Sequence, residues 1–510
     1  MLVPSLMTST LFGSLQKIIL RKSATAGIIY RHRILQSTSL FASSTKRRSF
    51  GQLVSSDLEF FSGMNEPACP CCSFLGKGLF LPWGDTSDCV GAERTTATDE
   101  PLSAVAVDVL SPSEAWQAIT SARANVAQQQ QPIALVDTHG HPHLDRSVEY
   151  ASQANVDNKI SSYNDPKNVV VSITCAVSPL DWNAALEYAS RSQHILPALG
   201  VHPWYLHDII MENIIESNKD ESTADEPTPH INIEQYLKWE WLSELETNLS
   251  QHPNLIVGEI GLCKMARFVR EFPKELGGKA TALQLQKIVF KKQMELAAQW
   301  RRPVTVHCVN AHGLLIETLT EMLNEARESC SKEKKVNNTN DLSEKDGTRT
   351  TLRNAFPPAI AMHSFTGTAH QVQQILDFEK SILHPEQVEA GGKRQRGKKK
   401  QQNQQQNEET KAEGTTDILF YFGFSHSVNY IMCTSEKAKR KGIEAVQAIP
   451  SNRLLVESDV HASADVVLGT AGAVAYAANA RGESLEDVAD SSTRNGLRFI
   501  SSLNSRPVDS

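Results

Sequence analysis

The chain has 510 residues, 40% of them hydrophobic and 21% charged, with a formal net charge of −7. That is a globular composition, and the acidic balance excludes a general polyanion binder: any contact with nucleic acid must be local or carried by metal ions. No run of about 18 apolar residues occurs, so no membrane-spanning helix is expected.

Met1 to Ser56 contains no Asp or Glu, whereas Lys17, Arg21, Lys22, Arg31, Arg33, Lys46, Arg47 and Arg48 stand among many Ser, Thr and Leu. This composition fits an organelle transit peptide, which would direct the chain to a mitochondrion or plastid; a disordered leader, with Met64 as an internal start, is the other reading, and it leaves cytoplasm or nucleus. Residues 57–131 read as a linker with one helix at most, hinted at by SEAWQAITSARANV (113–126). The nine cysteines include no pair of CxxC motifs. Their one dense group, Cys69, Cys71 and Cys72, falls in this linker, and the others read as small buried residues of a reduced compartment.

Beyond residue 132 short apolar runs recur: IALVDTH (133–139), VVVSITCA (169–176), ILPALGV (195–201), LIVGEIGL (255–262), PVTVHCV (303–309), AIAMHSF (359–365), ILFYFGF (418–424) and RLLVESD (453–459). Amphipathic stretches such as DWNAALEYASRS (181–192), YLKWEWLSELETNLSQ (236–251) and LQLQKIVFKKQMELAAQW (283–300) lie between them. Eight strands alternating with helices predict an α/β fold, the (β/α)8 or TIM barrel, over 132–505; an open doubly wound sheet is the alternative. Three polar insertions interrupt it, near 211–232, 326–355 and 385–416. The last holds the basic run 393–400, KRQRGKKK, which reads either as a solvated loop or as a contact for nucleic acid or an import receptor.

The carboxyl ends of the predicted strands carry metal-competent residues: Asp137, His139 and His141 on the first, His202 after the third, Glu259 on the fourth, His307 on the fifth, His363 on the sixth and Asp459 on the eighth. Burying imidazole or carboxylate without partners costs free energy, and barrel sites are built from the ends of several strands, so the group reads as a site. Four of these histidines with one Glu and one Asp already exceed what one catalytic zinc uses, which points to two divalent ions. In VDTHGHPHLD (136–145) strict alternation would send Asp137 and all three histidines to one face. Pro142, which has no N–H for a ladder, ends the strand and leaves His143 in the first loop as a rim residue.

The blocks DTHGH (137–141), ALGVHPW (198–204), VGEIGL (257–262), PVTVHC (303–308), HSFTG (363–367) and LLVESD (454–459), with NGLRF (495–499) near the end, resemble in order and spacing the TatD family of metal-dependent deoxyribonucleases, in the amidohydrolase-like superfamily. HCVNAHG (307–313) and ESDVHASAD (457–465) resemble its eukaryotic branch. The resemblance covers about 133–503, not the leader, linker or insertions. It implies a hydrolase that trims DNA from the 3′ end with two divalent ions, Mg2+, Zn2+ or Mn2+. One ion would be held by His139, His141 and Asp459, with Glu259 bridging to a second on His307 and His363. Asp459 would be the general base, His202 would line the substrate side, and Glu457 would orient a ligand.

Two departures bear on substrate more than on metal: Val309 stands where many relatives have Arg, and Cys263 where they have Asp. DNA is the expected substrate and a monomer the expected state. The alternatives are a hydrolase for another ester or amide, and a binding or scaffold protein that retains the metal site.

Overall fold

The β-branched and apolar runs form eight strands: β1 (Ile133–Gly140), β2 (Val169–Cys175), β3 (Ile195–Leu199), β4 (Ile256–Cys263), β5 (Val304–Val309), β6 (Ile360–Met362), β7 (Phe420–Ser425) and β8 (Leu454–Glu457). All neighbours pair in parallel, in sequence order from β1 to β8. This computed structural model describes residues 109–124, 133–145, 168–210, 233–337, 350–384 and 417–504. The chain divides into two units, Met1–Pro67 and Ala68–Ser510, and every described residue belongs to the second. The leader, the Cys69 cluster, most of the linker, and the insertions at 211–232 and 385–416 with their basic run lie outside the described residues.

Parallel strands need crossover connections, and helices supply them. In chain order the helices are α1 (Pro112–Ala124), α2 (Trp182–Ser190), α3 (Glu240–Gln251), the short α4 (Arg267–Glu271), α5 (Gly278–Gln299), α6 (His312–Asn337), α7 (Ala369–Leu383), α8 (Glu436–Ala448), α9 (Val466–Arg481) and α10 (Leu485–Ser501). Among its described residues the linker contributes one helix, α1, which packs on α9 and α10 with Ala115 and Ile119 buried. The stretch read as an insertion from 326 is helical as far as Asn337, because α6 keeps good helix formers such as Glu, Lys and Arg through its polar end. No helix among the described residues is long and apolar enough to cross a membrane.

Strand faces turned to the helices form one large apolar cluster with residues such as Leu135, Val170, Leu199, Val257, Val306 and Val456. A second, smaller cluster takes Ile173, Cys175, Ala198, Ile256, Ala361, Tyr421 and Leu455 from six strands, with Phe499 of α10. Residues from so many strands can meet only inside a closed barrel. The seam between β8 and β1 closes through bonds at the carboxyl end: Asp459 N–H donates to the His139 carbonyl (3.0 Å), His141 N–H to that of Val460 (2.9 Å), and Ser458 N–H to Asp137 (2.8 Å). The same contacts that close the barrel therefore set His139, His141 and Asp459 side by side.

Candidate metal centre

Glu259, 2% exposed near the middle of β4, is the hub of the site. One carboxylate oxygen, Oε2, lies 3.3 Å from Nε2 of both His139 and His141. The other, Oε1, lies 3.2 Å from His202 Nε2, 3.0 Å from His307 Nδ1 and 2.7 Å from His363 Nε2. Asp459 closes the group, its Oδ1 3.7 Å from His141 Nε2. His139, Glu259 and His307 lie on β1, β4 and β5, with His141, His202, His363 and Asp459 just past the ends of β1, β3, β6 and β8.

Backbone geometry at these ends is unusual in ways the site uses. Asp459 (φ 50°) and Ser364 (φ 37°) occupy the left-handed region, which non-glycine residues visit at a cost of order 1–3 kcal/mol and which recurs at functional sites. Ser364 sends its hydroxyl to Asp459 Oδ2 (2.8 Å) and its N–H to Glu457. After β7 a π-helical turn, His426–Ile431, lets the Ser427 hydroxyl donate to the carbonyls of Ser458 (3.0 Å) and Asp459 (3.2 Å). Both contacts hold the loop that presents Asp459.

His139 and His141 are held from behind by their other ring nitrogens. His141 Nδ1 meets the Cys175 carbonyl at 2.6 Å, and His139 Nδ1 the Thr305 hydroxyl at 2.9 Å. His363 Nδ1 faces Glu457 at 3.5 Å, so Glu457 backs a candidate ligand, and Thr138 and Ser364 fix Glu457 in turn. The Cys263 sulfur lies beside His307 and Trp204. Gln286 of α5 clamps this corner, accepting from Cys263 N–H at 2.9 Å and donating to the carbonyls of Cys263 and Pro203.

The charge balance favours cations. Burial alone would raise Glu259, but the imidazoles of His202, His363 and His139 outweigh it and hold the carboxyl well below its ordinary value. Asp459 is likewise held low against burial, chiefly by His363, His139 and His141. Burial opposes the charged form of His307, yet the Cys263 thiol and Glu259 carry it up to about 9. His202 is pushed down to about 4 by burial. His139 Nε2 is buried and lacks a hydrogen-bond partner although it points at Glu259. Two ionised, buried carboxylates among imidazoles, three of which have a buried nitrogen without a hydrogen-bond partner, fit divalent ions. Three sets have ligand atoms close enough to share an ion: His139, Glu259 and His363; His139, His141 and Asp459; His202, Glu259 and His307.

Seven of the eight strand-end residues expected at the site therefore come together; Asp137 does not, and the expectation for His143 also changes. A register shift between Asp137 and Gly140 breaks strict alternation, so Asp137 leaves the cluster. It bonds Ser458 N–H and Oγ and Ser172 Oγ, and burial raises it to about 8. His143 falls in the first loop, but not on a rim: its side chain is buried, bonded to Thr174 (2.9 Å) and Asp181 (3.1 Å). Sequence reasoning did not single out Ser364, Thr305 or His461, whose ring lies 5.2 Å from that of His141. Their positions next to or two residues from His363, His307 and Asp459 were the available signal.

Comparison with known proteins finds that residues 136–385 match the family model of TatD-related DNases. The Cut9-interacting protein scn1 of Schizosaccharomyces pombe is 25% identical over 362 residues, 65% of this chain and 88% of that protein. The uncharacterized deoxyribonuclease YMR262W of Saccharomyces cerevisiae is 28% identical over 176 residues, 30% of this chain and 53% of that protein. Among solved structures, the TatD homologue YJJV of Escherichia coli aligns with 73% of this chain and 98% of its own, at 16% identity and a TM-score of 0.40.

Proposed function

We propose that this chain, which belongs to the family of TatD-related DNases, hydrolyses phosphodiester bonds of DNA, removing nucleotides from the 3′ end, with a pair of divalent ions bound between its strand ends. The family is metal-dependent, and the observation that carries the reading is the division of Glu259: one oxygen faces His139 and His141, the other His307 and His363. A carboxylate so placed suits a bridge between two ions.

In this reading His139, His141 and Asp459 would hold one ion and His307 and His363 the other, and Mg2+, Mn2+ or Zn2+ would satisfy the donor set. When bound, the ions supply Lewis acidity, making water more acidic and neutralising charge on a phosphoryl oxygen. Asp459 accepts the proton of the attacking water. Its Oδ2 is anchored by Ser364, and its Oδ1 lies on the His141 side. Glu457 keeps the His363 ring turned to Glu259, and the buried walls limit bulk water. His202 lines the substrate side, and Val309, partly exposed at the end of β5, offers a phosphate no charge there.

The test is release of nucleotides from 3′-labelled DNA with each ion, comparing the wild type with Glu259→Gln and Asp459→Asn. Metal-loaded protein that releases none, or variants that work as well as wild type, would overturn it. A second reading, a binding protein that retains the site, is favoured by one observation: the fission-yeast relative is a Cut9-interacting protein. Stoichiometric metal binding without hydrolysis of any tested ester would favour it.

A further inference from the structure

We propose that the rim of the barrel mouth between the turn after β4 and α8 is a track for the phosphate backbone of DNA, with Lys264, Lys437, Arg440 and Lys441 as its cations. The proposal rests on the nuclease reading, in which a strand with its end at the metal centre lies across the rim for the rest of its length.

A chain of net charge −7 repels a polyanion unless cations are gathered where the polyanion lies. β5 ends in the uncharged Val309, but Lys264 stands next to it. The Lys264 N–H donates to the Val309 carbonyl at 3.2 Å, and its ammonium is near enough to Cys308 to act on the thiol. Lys264 is exposed and has no ion-pair partner among the described residues.

The charge continues along the rim to α8. α6 and α8 follow β5 and β7, so their first turns lie at the same end of the barrel as His307 and His363. Lys441 of α8 is near His312, the first residue of α6, which is 7% exposed and whose Nε2 is buried without a hydrogen-bond partner. A phosphate oxygen held by Lys441 would supply an acceptor for an N–H there. A Cβ on Gly442 would stand 2.8 Å from the Tyr476 hydroxyl of α9, and Ala445 and Val446 are buried, so this face of α8 is turned inward. Lys437 and Arg440, about half a turn away from it, are exposed. Lys437 and Lys441 have no ion-pair partner among the described residues, and Arg440 faces Glu444 at 3.8 Å in an exposed pair of the kind that is worth little. Beside these cations Tyr430, 37% exposed and near Lys439, offers a ring face to a base, which favours a nucleic acid over an acidic peptide.

The experiment uses the full chain in EDTA, so that DNA is bound and not cut. Fluorescence anisotropy of a 5′-labelled strand of about 12 nucleotides gives the affinity between about 50 and 200 mM salt. Lys264→Gln, Lys437→Gln and Lys441→Gln are each expected to reduce the slope of log affinity against log salt by about 0.7–0.9, which at 0.1 M salt is a loss of about 5- to 8-fold. Tyr430→Leu weakens binding by at least about 5-fold with the slope unchanged. Lys380→Gln, in the last turn of α7 at the opposite end of the barrel, changes neither. Wild-type slopes in all three lysine variants, a wild type that binds no DNA, or polyglutamate that displaces the strand as well as unlabelled DNA of the same length overturns the proposal. Failure of the nuclease reading shows elsewhere: protein with these slopes that releases no nucleotide from 3′-labelled DNA with metal keeps the track and loses the reaction.

Discussion

Gly261 and His307 are in contact through their backbones: a Cβ built on Gly261 would stand 2.0 Å from the His307 carbonyl oxygen, and Gly261 itself has φ 151°. β4 and β5 approach this closely where they present Glu259 and His307, so the shape of the site depends on a missing side chain. Gly261→Ala is expected to force the strands apart at a cost of at least ~1–3 kcal/mol. Because the clash is with backbone, no rotamer change relieves it. Urea unfolding and Mn2+ titration measured together should show both stability and metal affinity falling; a variant with wild-type affinity would show that His307 is positioned otherwise.

Metal should stabilise the fold in proportion to its occupancy. A ligand bound only by the native state adds about 2.7 kcal/mol at one hundred times its Kd. Saturating Mn2+ or Zn2+ should therefore raise the unfolding midpoint and EDTA reverse the gain. Glu259→Gln, which neutralises the carboxylate facing five imidazoles, should abolish most of the shift. Equal midpoints with and without metal in the wild type would count against a metal centre.

The barrel was legible because its strands are short, apolar and separated by amphipathic runs, and every apolar run from Ile133 to Asp459 overlaps one of the eight strands. His139, His141, Glu259, His307, His363 and Asp459 were legible for a related reason: polar residues at the end of a buried strand have no place in a core. Asp137 shows the limit. Alternation predicted its direction, and a register shift, which depends on how β1 meets β2, reversed it. His143 looked like a rim residue because Pro142 ends the strand before it, whereas Thr174 and Asp181, distant in sequence, draw it inward.

Glu379 and Arg453 hold the opposite end of β7. Glu379 of α7 is 3% exposed and accepts from the N–H groups of Leu419 (3.1 Å) and Phe420 (2.8 Å), while Arg453 pairs with both its oxygens at 2.6 and 2.7 Å. Removing one partner of a buried pair leaves the other charge uncompensated, at a cost of about 3–5 kcal/mol. Glu379→Ala should thus lose stability by that order. With β7 between it and the site, turnover measured well below the melting temperature should stay near wild type. A large loss of turnover in protein that remains folded would refute this separation of stability from chemistry.

Acid should destabilise the protein through histidines outside the centre. Burial pushes His312, packed edge-on against Phe365 (5.4 Å) and near Lys441, down to about 4, and burial does the same to His426. Between about 4 and the ordinary value of 6.5 the unfolded chain binds these protons and the folded chain does not. The stability each neutral ring contributes is fully present above 6.5 and is lost as pH falls towards 4, with a slope of up to ~1.4 kcal/mol per pH unit per group. Urea midpoints in EDTA should therefore fall between pH 7.5 and 5. His312→Gln removes one titrating group, and should flatten that fall while leaving Glu259 and its imidazoles untouched. Parallel pH curves for wild type and variant would show that His312 does not titrate as its burial requires.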